Sequence, residues 1–162
     1  MNERTTAQDI GLALQVEGFH PFVKDIDLYG IQNGGDDYVV YTGQLPDIYI
    51  RKRVSTDFFE YQEHPWLLAV AANRVNSRYT PVRITVEYDM VSLTLCVEPT
   101  SLESFSKRLP QWLARIEQAV DQLGQACDLV LREAAQDDLA EVSNQLSNPT
   151  PDSPWLKGQK IS

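Results

Sequence analysis

Few residues of this chain have types and spacing that could support catalysis or metal binding. His64 directly follows Glu63, a pair that could exchange a proton, but a histidine before Pro65 is more simply explained as the start of a helix. Cys96 and Cys127 are the two cysteines, and neither lies in a C-x-x-C pair or at ligand spacing from a histidine. We therefore predict a protein that is not an enzyme, with no catalytic residue, no metal site and no cofactor.

The charge of the chain argues against nucleic acid as a partner. Lys and Arg total 14 against 23 Asp and Glu, and the net charge of −9 would repel a polyanion. The basic run Arg51-Lys52-Arg53 is predicted to be a solvated strand edge that discourages unwanted pairing. No apolar run is long enough to span a bilayer, and no apolar segment follows a basic start at the N-terminus. We expect a cytoplasmic protein that binds neither nucleic acid nor membrane.

Aromatic side chains are concentrated in one predicted connecting segment. Phe58, Phe59 and Tyr61 follow one another closely there, and such residues either cover an edge of the core or form a contact patch for a partner. Trp155 lies in a proline-containing polar segment near the C-terminus, where an indole often docks on a neighbouring surface. These four residues are candidates for partner binding.

Two asparagines complete the candidate partner-binding residues. Asn73 and Asn76 lie near the end of a predicted helix. A side-chain amide both donates and accepts hydrogen bonds, so either residue could recognise a peptide backbone. The alternative is that they cap the end of their own helix.

A long C-terminal helix dominates the secondary-structure pattern. Apolar residues recur every seven positions, and the order Thr100-Ser101-Leu102-Glu103 is typical of a capping box at the helix start. Pro110 predicts a kink, or a short first helix that restarts near Gln111. The apolar rhythm weakens beyond about Gln136. The heptad positions are Leu102, Leu109, Ile116, Leu123 and Val130.

The remaining segments predict an α+β fold in the order α-β-β-β-α-β-β-α. Connections of about four residues between the early strands favour antiparallel pairing, and apolar residues alternate with polar ones in the last two strands. We expect about five antiparallel strands with helices packed mainly on one face, in one domain over residues 1–136 followed by a polar, proline-containing tail over 137–162. The predicted segments are a helix over 6–17, strands over 24–32, 37–42 and 47–54, a helix from Pro65, and strands over 82–88 and 91–97.

The step Asn73-Arg74-Val75-Asn76 at the end of the second helix, followed by two paired strands, carries a resemblance to a known family. From about Thr6 to Gly124, and most clearly from Trp66 to Pro99, the chain resembles the YbjN-type family of proposed bacterial sensory-transduction regulators. The fold of that family is similar to that of type III secretion chaperones. The resemblance implies a small α+β domain, often a homodimer, that holds a partner polypeptide or modulates a pathway without catalysis.

These observations favour a non-enzymatic protein-binding module, chaperone-like or a regulatory adaptor. It would capture an extended segment of a client polypeptide by adding a strand or by filling apolar grooves. The alternative is a small-ligand-binding sensory regulator with a closed apolar pocket near Tyr38, Tyr41 and Tyr49. We also expect a homodimer, because the last helix has more apolar surface than one sheet should cover; the alternative is that this stripe packs only on its own sheet.

Overall fold

The computed structural model describes residues 5–59, 65–78 and 81–147, and within them it confirms the predicted α+β class. A six-stranded antiparallel sheet is combined with three α-helices and one 3-10 turn. The elements are α1 (Ala7–Val16), β1 (Phe22–Asp25), β2 (Leu28–Asn33), β3 (Asp36–Gln44), β4 (Asp47–Ser55), the 3-10 turn (Thr56–Phe59), α2 (Pro65–Ser77), β5 (Val82–Val86), β6 (Met90–Val97) and α3 (Leu102–Ser147).

The sheet has the order β1-β2-β3-β4-β6-β5, so the last hairpin adds to β4 through its second strand. The sheet has one more strand than expected, because the run predicted as a single strand from Lys24 to Gln32 turns back on itself. The turn follows Asp25, whose carboxylate accepts the N–H of Ile26 at 2.8 Å. Aspartate stabilises such reversals by bonding to the backbone that follows it.

Helix α1 begins where its sequence favours a start. The Thr6 hydroxyl accepts the N–H of Asp9 at 3.3 Å, and the Asp9 carboxylate accepts the N–H of Thr6 at 2.8 Å. This reciprocal pair is a capping box, which satisfies two backbone donors that the helix cannot pair itself. The helix then buries Ile10 and Leu14 in the core.

Helix α3 is longer and more continuous than predicted. Pro110 lies inside it and the helix continues past it, so of the two alternatives predicted for Pro110, the short first helix that restarts near Gln111 is wrong. Proline costs about 3 kcal/mol within a helix, but its neighbours Leu109, Trp112 and Leu113 are all buried, and their packing offsets that loss. The helix also continues beyond Gln136 to Ser147. Residues 148–162 lie outside the described residues, so the proline-containing tail stays a prediction.

The apolar stripe of α3 packs within a single chain. The described helices contact the sheet on one side, and the heptad residues from Leu109 to Val130 are buried in one core with the strands. Strands β2 to β6 contribute alternate residues to this side, such as Val40 of β3 and Ile50 of β4, both fully buried, whereas the residues of β1 are exposed. The opposite side of the sheet is therefore left without a helical layer in the part of the chain described.

Candidate functional site

The aromatic segment after β4 divides between core and surface. Phe59 is buried and Phe58 is 64% exposed, and their rings meet edge to face with centroids 5.2 Å apart. Both line a groove of about 380 Å³ against α3, near Gly124. Phe59 thus covers an edge of the core, which is one of the two alternatives predicted for this segment, and Phe58 is exposed. Tyr61 and Trp155 lie outside the described residues.

Asn76 recognises a peptide backbone, and that backbone is the chain's own. Its side-chain oxygen accepts the N–H of Ile84 at 2.9 Å, and its side-chain nitrogen donates to the carbonyl of Ile84 at 2.7 Å. Ile84 lies in β5, an edge strand of the sheet. Asn76 therefore closes this edge with bonds that a further strand would otherwise make, whereas Asn73 is exposed and forms no such bond among the described residues.

Replacing Asn76 with alanine is expected to destabilise the protein. The variant Asn76→Ala leaves the backbone N–H and carbonyl of the buried Ile84 without their partner, which costs about 1–3 kcal/mol. The control Asn73→Ala, three residues earlier on an exposed position, should leave stability unchanged within about 0.5 kcal/mol. Urea unfolding followed by circular dichroism measures both. Equal stability of the two variants would contradict the assigned role of Asn76.

The side of the sheet away from the helices, called the open face below, carries aromatic, aliphatic and basic side chains in the described chain. Its members follow from the strand register, since residues directly opposite each other share a face. Leu28 pairs with Tyr41, Tyr41 with Tyr49, and Tyr49 with Cys96 across four strands. The next row has Gly30, Val39, Arg51, Thr94 and Arg83.

A groove of about 560 Å³ crosses the open face between these two rows. The rings of Tyr41 and Tyr49 form one wall, with centroids 6.2 Å apart and planes tilted by 48°. Gly43 makes room for the Tyr41 ring, because a Cβ atom there would lie 2.3 Å from the Tyr41 hydroxyl. Leu28 and Val39 add aliphatic surface to the groove. Gln44, Arg51 and Thr94 complete the lining, so the groove combines a larger apolar part with polar and charged side chains.

The basic run in β4 lies at the centre of the sheet, so its interpretation as a strand edge is wrong. β4 is paired on both sides, with β3 and β6. Successive residues of a strand point to opposite faces, which places Arg51 and Arg53 on the open face. Lys52 faces the helices, where its ammonium forms ion pairs with Glu117 and, at 3.2 Å, with Asp36.

The three tyrosines proposed to line one closed pocket are divided between the two faces. Tyr38 is 2% exposed on the helix side, and its hydroxyl donates to the Glu117 carboxylate. The Lys52 ammonium lies 5.6 Å from the centre of the Tyr38 ring. Burial, followed by the hydrogen bond to Glu117, raises the pKa of the Tyr38 phenol above its ordinary value. Tyr38 therefore joins β3 to α3, while Tyr41 and Tyr49 remain together on the open face.

The raised pKa of Tyr38 predicts a loss of stability at alkaline pH. A group whose pKa is higher in the folded than in the unfolded state stabilises the fold fully below the unfolded pKa, about 10 for tyrosine, and less as pH rises above it. The melting temperature of wild type minus that of Tyr38→Phe should be constant from about pH 8 to pH 9.5 and shrink by about pH 11. A difference that grows with pH would contradict this assignment.

The two cysteines provide a chemical test of the two faces. Cys127 is fully buried in α3, and burial raises the pKa of its thiol to about 11, whereas Cys96 is exposed on the open face. At about pH 8 a thiol reagent should modify Cys96 at least about 100-fold faster than Cys127, because only the accessible thiolate reacts. Cys96→Ala should remove the fast phase. Rapid modification of both thiols in the folded protein would contradict the burial of Cys127.

Metal-holding clusters and membrane-spanning helices are not found among the residues that the structure covers. Among them, no three His, Cys, Asp or Glu side chains come together in a way that could hold a metal ion. None of the helices in the described ranges combines the length and apolar composition needed to cross a membrane.

Comparison with known proteins gives a likeness of fold. The chain matches no protein-family model and no curated protein sequence. Its structure is similar to the crystal structure of YbjN from E. coli, a proposed transcription regulator, with a TM-score of 0.50. The two sequences are 13% identical, and the likeness covers 82% of this chain and 94% of YbjN. The sheet and helices of this chain thus share the YbjN fold.

Proposed function

We propose that the protein is a non-enzymatic protein-binding module, acting as a chaperone or regulatory adaptor, that holds an extended segment of a client polypeptide on the open face. The observation that carries the proposal is the groove of about 560 Å³, lined mainly by aromatic and aliphatic side chains, on a sheet face that no described helix covers. Tyr41 is 37% exposed beside it. Exposed aromatic and aliphatic side chains in one groove are typical of surfaces that bind a partner.

The face of the sheet is a better binding surface than its edges. At one edge, Asn76 already occupies the backbone groups of Ile84 in β5. At the other edge, β1 has four residues and includes Lys24, features that discourage strand addition. Filling the groove is therefore favoured over strand addition, which is the other capture mode that the sequence predicts.

Family membership and a regulatory role belong to the same proposal. The support is the fold shared with YbjN from E. coli and the Asn73-Arg74-Val75-Asn76 step quoted above. A cytoplasmic location likewise stays a proposal. The proposed role requires a client polypeptide and no cofactor.

Affinity capture with a matched pair of variants tests the proposed binding face. The double variant Tyr41→Ala/Tyr49→Ala removes both rings from the groove, and Phe58→Ala removes a more exposed ring from the separate groove beside α3. A client recovered with wild type and with Phe58→Ala should be depleted about 10-fold or more with the double variant, since central aromatic residues dominate binding energy. Recovery of the same client by the double variant would rule out the open face as its binding site.

A small-ligand-binding sensor is the second candidate, and the Tyr41–Tyr49 pair is the observation that favours it. A drug-sized ligand normally has most of its surface buried in a concave site, whereas this groove lies on an exposed sheet face with Tyr41 partly in solvent. If a sensor is correct, metabolites should raise the melting temperature of wild type and leave that of Tyr41→Ala/Tyr49→Ala unchanged.

A homodimer is a separate proposal. The sequence predicts a homodimer because the last helix has a large apolar surface. Most of that apolar stripe of α3 is buried within one chain, so it gives little support for a second copy. The remaining support is the exposure of Leu129 and Leu131, at 45% and 38%, on the outer part of α3. Light scattering at micromolar concentration should give twice the mass of the 18.4 kDa chain; the mass of a monomer would contradict the proposal.

A further inference from the structure

We infer that the segment held on the open face is acidic, with an Asp or Glu two positions along an extended chain from an apolar side chain. The carboxylate binds above Thr94 between Arg51 and Arg83, and the apolar side chain fills the groove beside Tyr49. This inference rests on the proposed function and specifies the chemistry of the client.

The strand register places two arginines on either side of one hydroxyl. Thr94 of β6 lies directly opposite Arg51 of β4 and, on its other side, directly opposite Arg83 of β5. Neighbouring strands are about 4.8 Å apart, so both long side chains can reach an oxygen held above Thr94. Guanidinium groups bind carboxylates through paired, charge-assisted hydrogen bonds, and the threonine hydroxyl adds a further donor.

The neighbouring row has a hydroxyl beside a single arginine. Ser92 lies between Arg53 of β4 and Thr85 of β5 in the same register. Ser92 is 5% exposed, and its hydroxyl has no hydrogen-bond partner among the described residues. A buried polar group without a partner is uncommon in folded proteins and costs free energy. An arriving carboxylate oxygen could pair this hydroxyl once the half-exposed Arg53 side chain shifts.

The charges of these arginines are largely uncompensated within the described structure. Arg51 and Arg83 form no ion pair with any described residue, and Arg53 approaches Glu87 at 4.0 Å with both side chains about half exposed. Such an exposed pair contributes little. On a chain of net charge −9, this basic cluster is a surface that attracts an acidic segment, while the acidic remainder repels one.

The spacing along β4 sets the order of the client residues. Tyr49 and Arg51 are two residues apart in one strand and face the same side, at a separation of about 7 Å. An extended client chain has the same period of two. A client segment that lies along β4 therefore brings an apolar side chain to the groove and a carboxylate to the arginines when these residues are at positions i and i+2.

Peptide selection tests the inference on the full chain. A display library of random 12-residue peptides is selected against immobilised wild type, and the enriched peptides are synthesised as fluorescent probes. Expected peptides carry Asp or Glu two positions from an aromatic or aliphatic residue. Fluorescence anisotropy should show Kd raised at least tenfold by Arg51→Ala/Arg83→Ala, and salt should weaken binding to wild type more than to that variant.

A control variant separates the local site from overall charge. Arg115→Ala/Arg132→Ala removes the same two positive charges from exposed positions on α3, and it should change Kd less than twofold. Equal weakening by both double variants would overturn the inference. The inference would also be overturned by peptides without an acidic residue whose Kd rises in Tyr41→Ala/Tyr49→Ala and stays unchanged in Arg51→Ala/Arg83→Ala. That result would leave the proposed function intact. If no enriched peptide depends on Tyr41 and Tyr49, the proposed function fails as well.

Discussion

The variant Leu109→Ala is expected to lower the free energy of unfolding by about 3–5 kcal/mol. Leu109 is fully buried where α3 packs on the core, next to Pro110. Removing its isobutyl group loses contact with the core and leaves a cavity that neighbouring side chains cannot fill completely. The continuity of α3 past the proline depends on this packing, so the loss of helical signal and the loss of the folded state should coincide in urea unfolding.

The same substitution farther along α3 is the control for this prediction. Leu129 is 45% exposed, so Leu129→Ala should cost less than about 1 kcal/mol. Similar costs for the two variants would contradict the packing assigned to α3. A large effect of Leu129→Ala that diminishes as the protein is diluted would instead support the proposed homodimer, because a contact between protomers stabilises the protein only at concentrations where the dimer forms.

The variant Glu117→Ala is expected to lower the free energy of unfolding by about 1–3 kcal/mol. Its carboxylate accepts from the buried Tyr38 hydroxyl and forms an ion pair with Lys52, whose side chain is 12% exposed. The variant leaves the phenol without its acceptor and Lys52 with Asp36 as its remaining ion-pair partner among the described residues. Because Glu117 itself is 39% exposed, water partly offsets the loss, and the expected cost is below that of a fully buried pair.

A second glutamate on the same helix separates this effect from the loss of a charge. Glu103 pairs with Lys107 one turn later at 2.7 Å, and both side chains are about three-quarters exposed. The cap of α3 is Ser101, whose hydroxyl accepts the N–H of Ser104 at 3.0 Å, so Glu103→Ala loses only this exposed pair and a favourable charge in the first turn. It should therefore lower the unfolding midpoint in urea less than Glu117→Ala does. A double-mutant cycle of Glu117→Ala with Tyr38→Phe should show non-additive costs. Additive costs would mean that the hydrogen bond from Tyr38 of β3 to Glu117 of α3 makes no measurable contribution to the free energy of unfolding.

The sequence indicates the elements of this fold more fully than their arrangement. The seven-residue spacing from Leu102 to Val130 is sufficient to predict a long helix. The alternation of apolar and polar residues over 82–97 is sufficient to predict the last hairpin. The pairing of β4 with β6 is different, because it joins residues about 40 positions apart and depends on how the whole sheet assembles. The turn at Ile26-Asp27 is not predicted by the sequence, because it contains neither glycine nor proline.

The candidate site was visible in the sequence only in part. The sequence indicates Tyr41 and Tyr49 as possible pocket residues. Their separation from Tyr38 depends on which face of the sheet the helices cover, and the sequence does not show that. A basic run such as Arg51-Lys52-Arg53, taken in isolation, favours a strand edge, and that prediction is wrong here. The signal that could have corrected it is the alternation of Ile48 and Ile50 with Tyr49 and Arg51, which marks a strand buried on one face.

Alkylation of Cys96 in the presence of a captured client tests the central claim most directly, because Cys96 lies beside Tyr49 on the open face. A client bound to that face should slow modification of Cys96 at least about tenfold by excluding the reagent. A thiol introduced by Leu129→Cys on the exposed side of α3 should keep its rate. Unchanged reactivity of Cys96 under saturating client would show that the partner binds elsewhere.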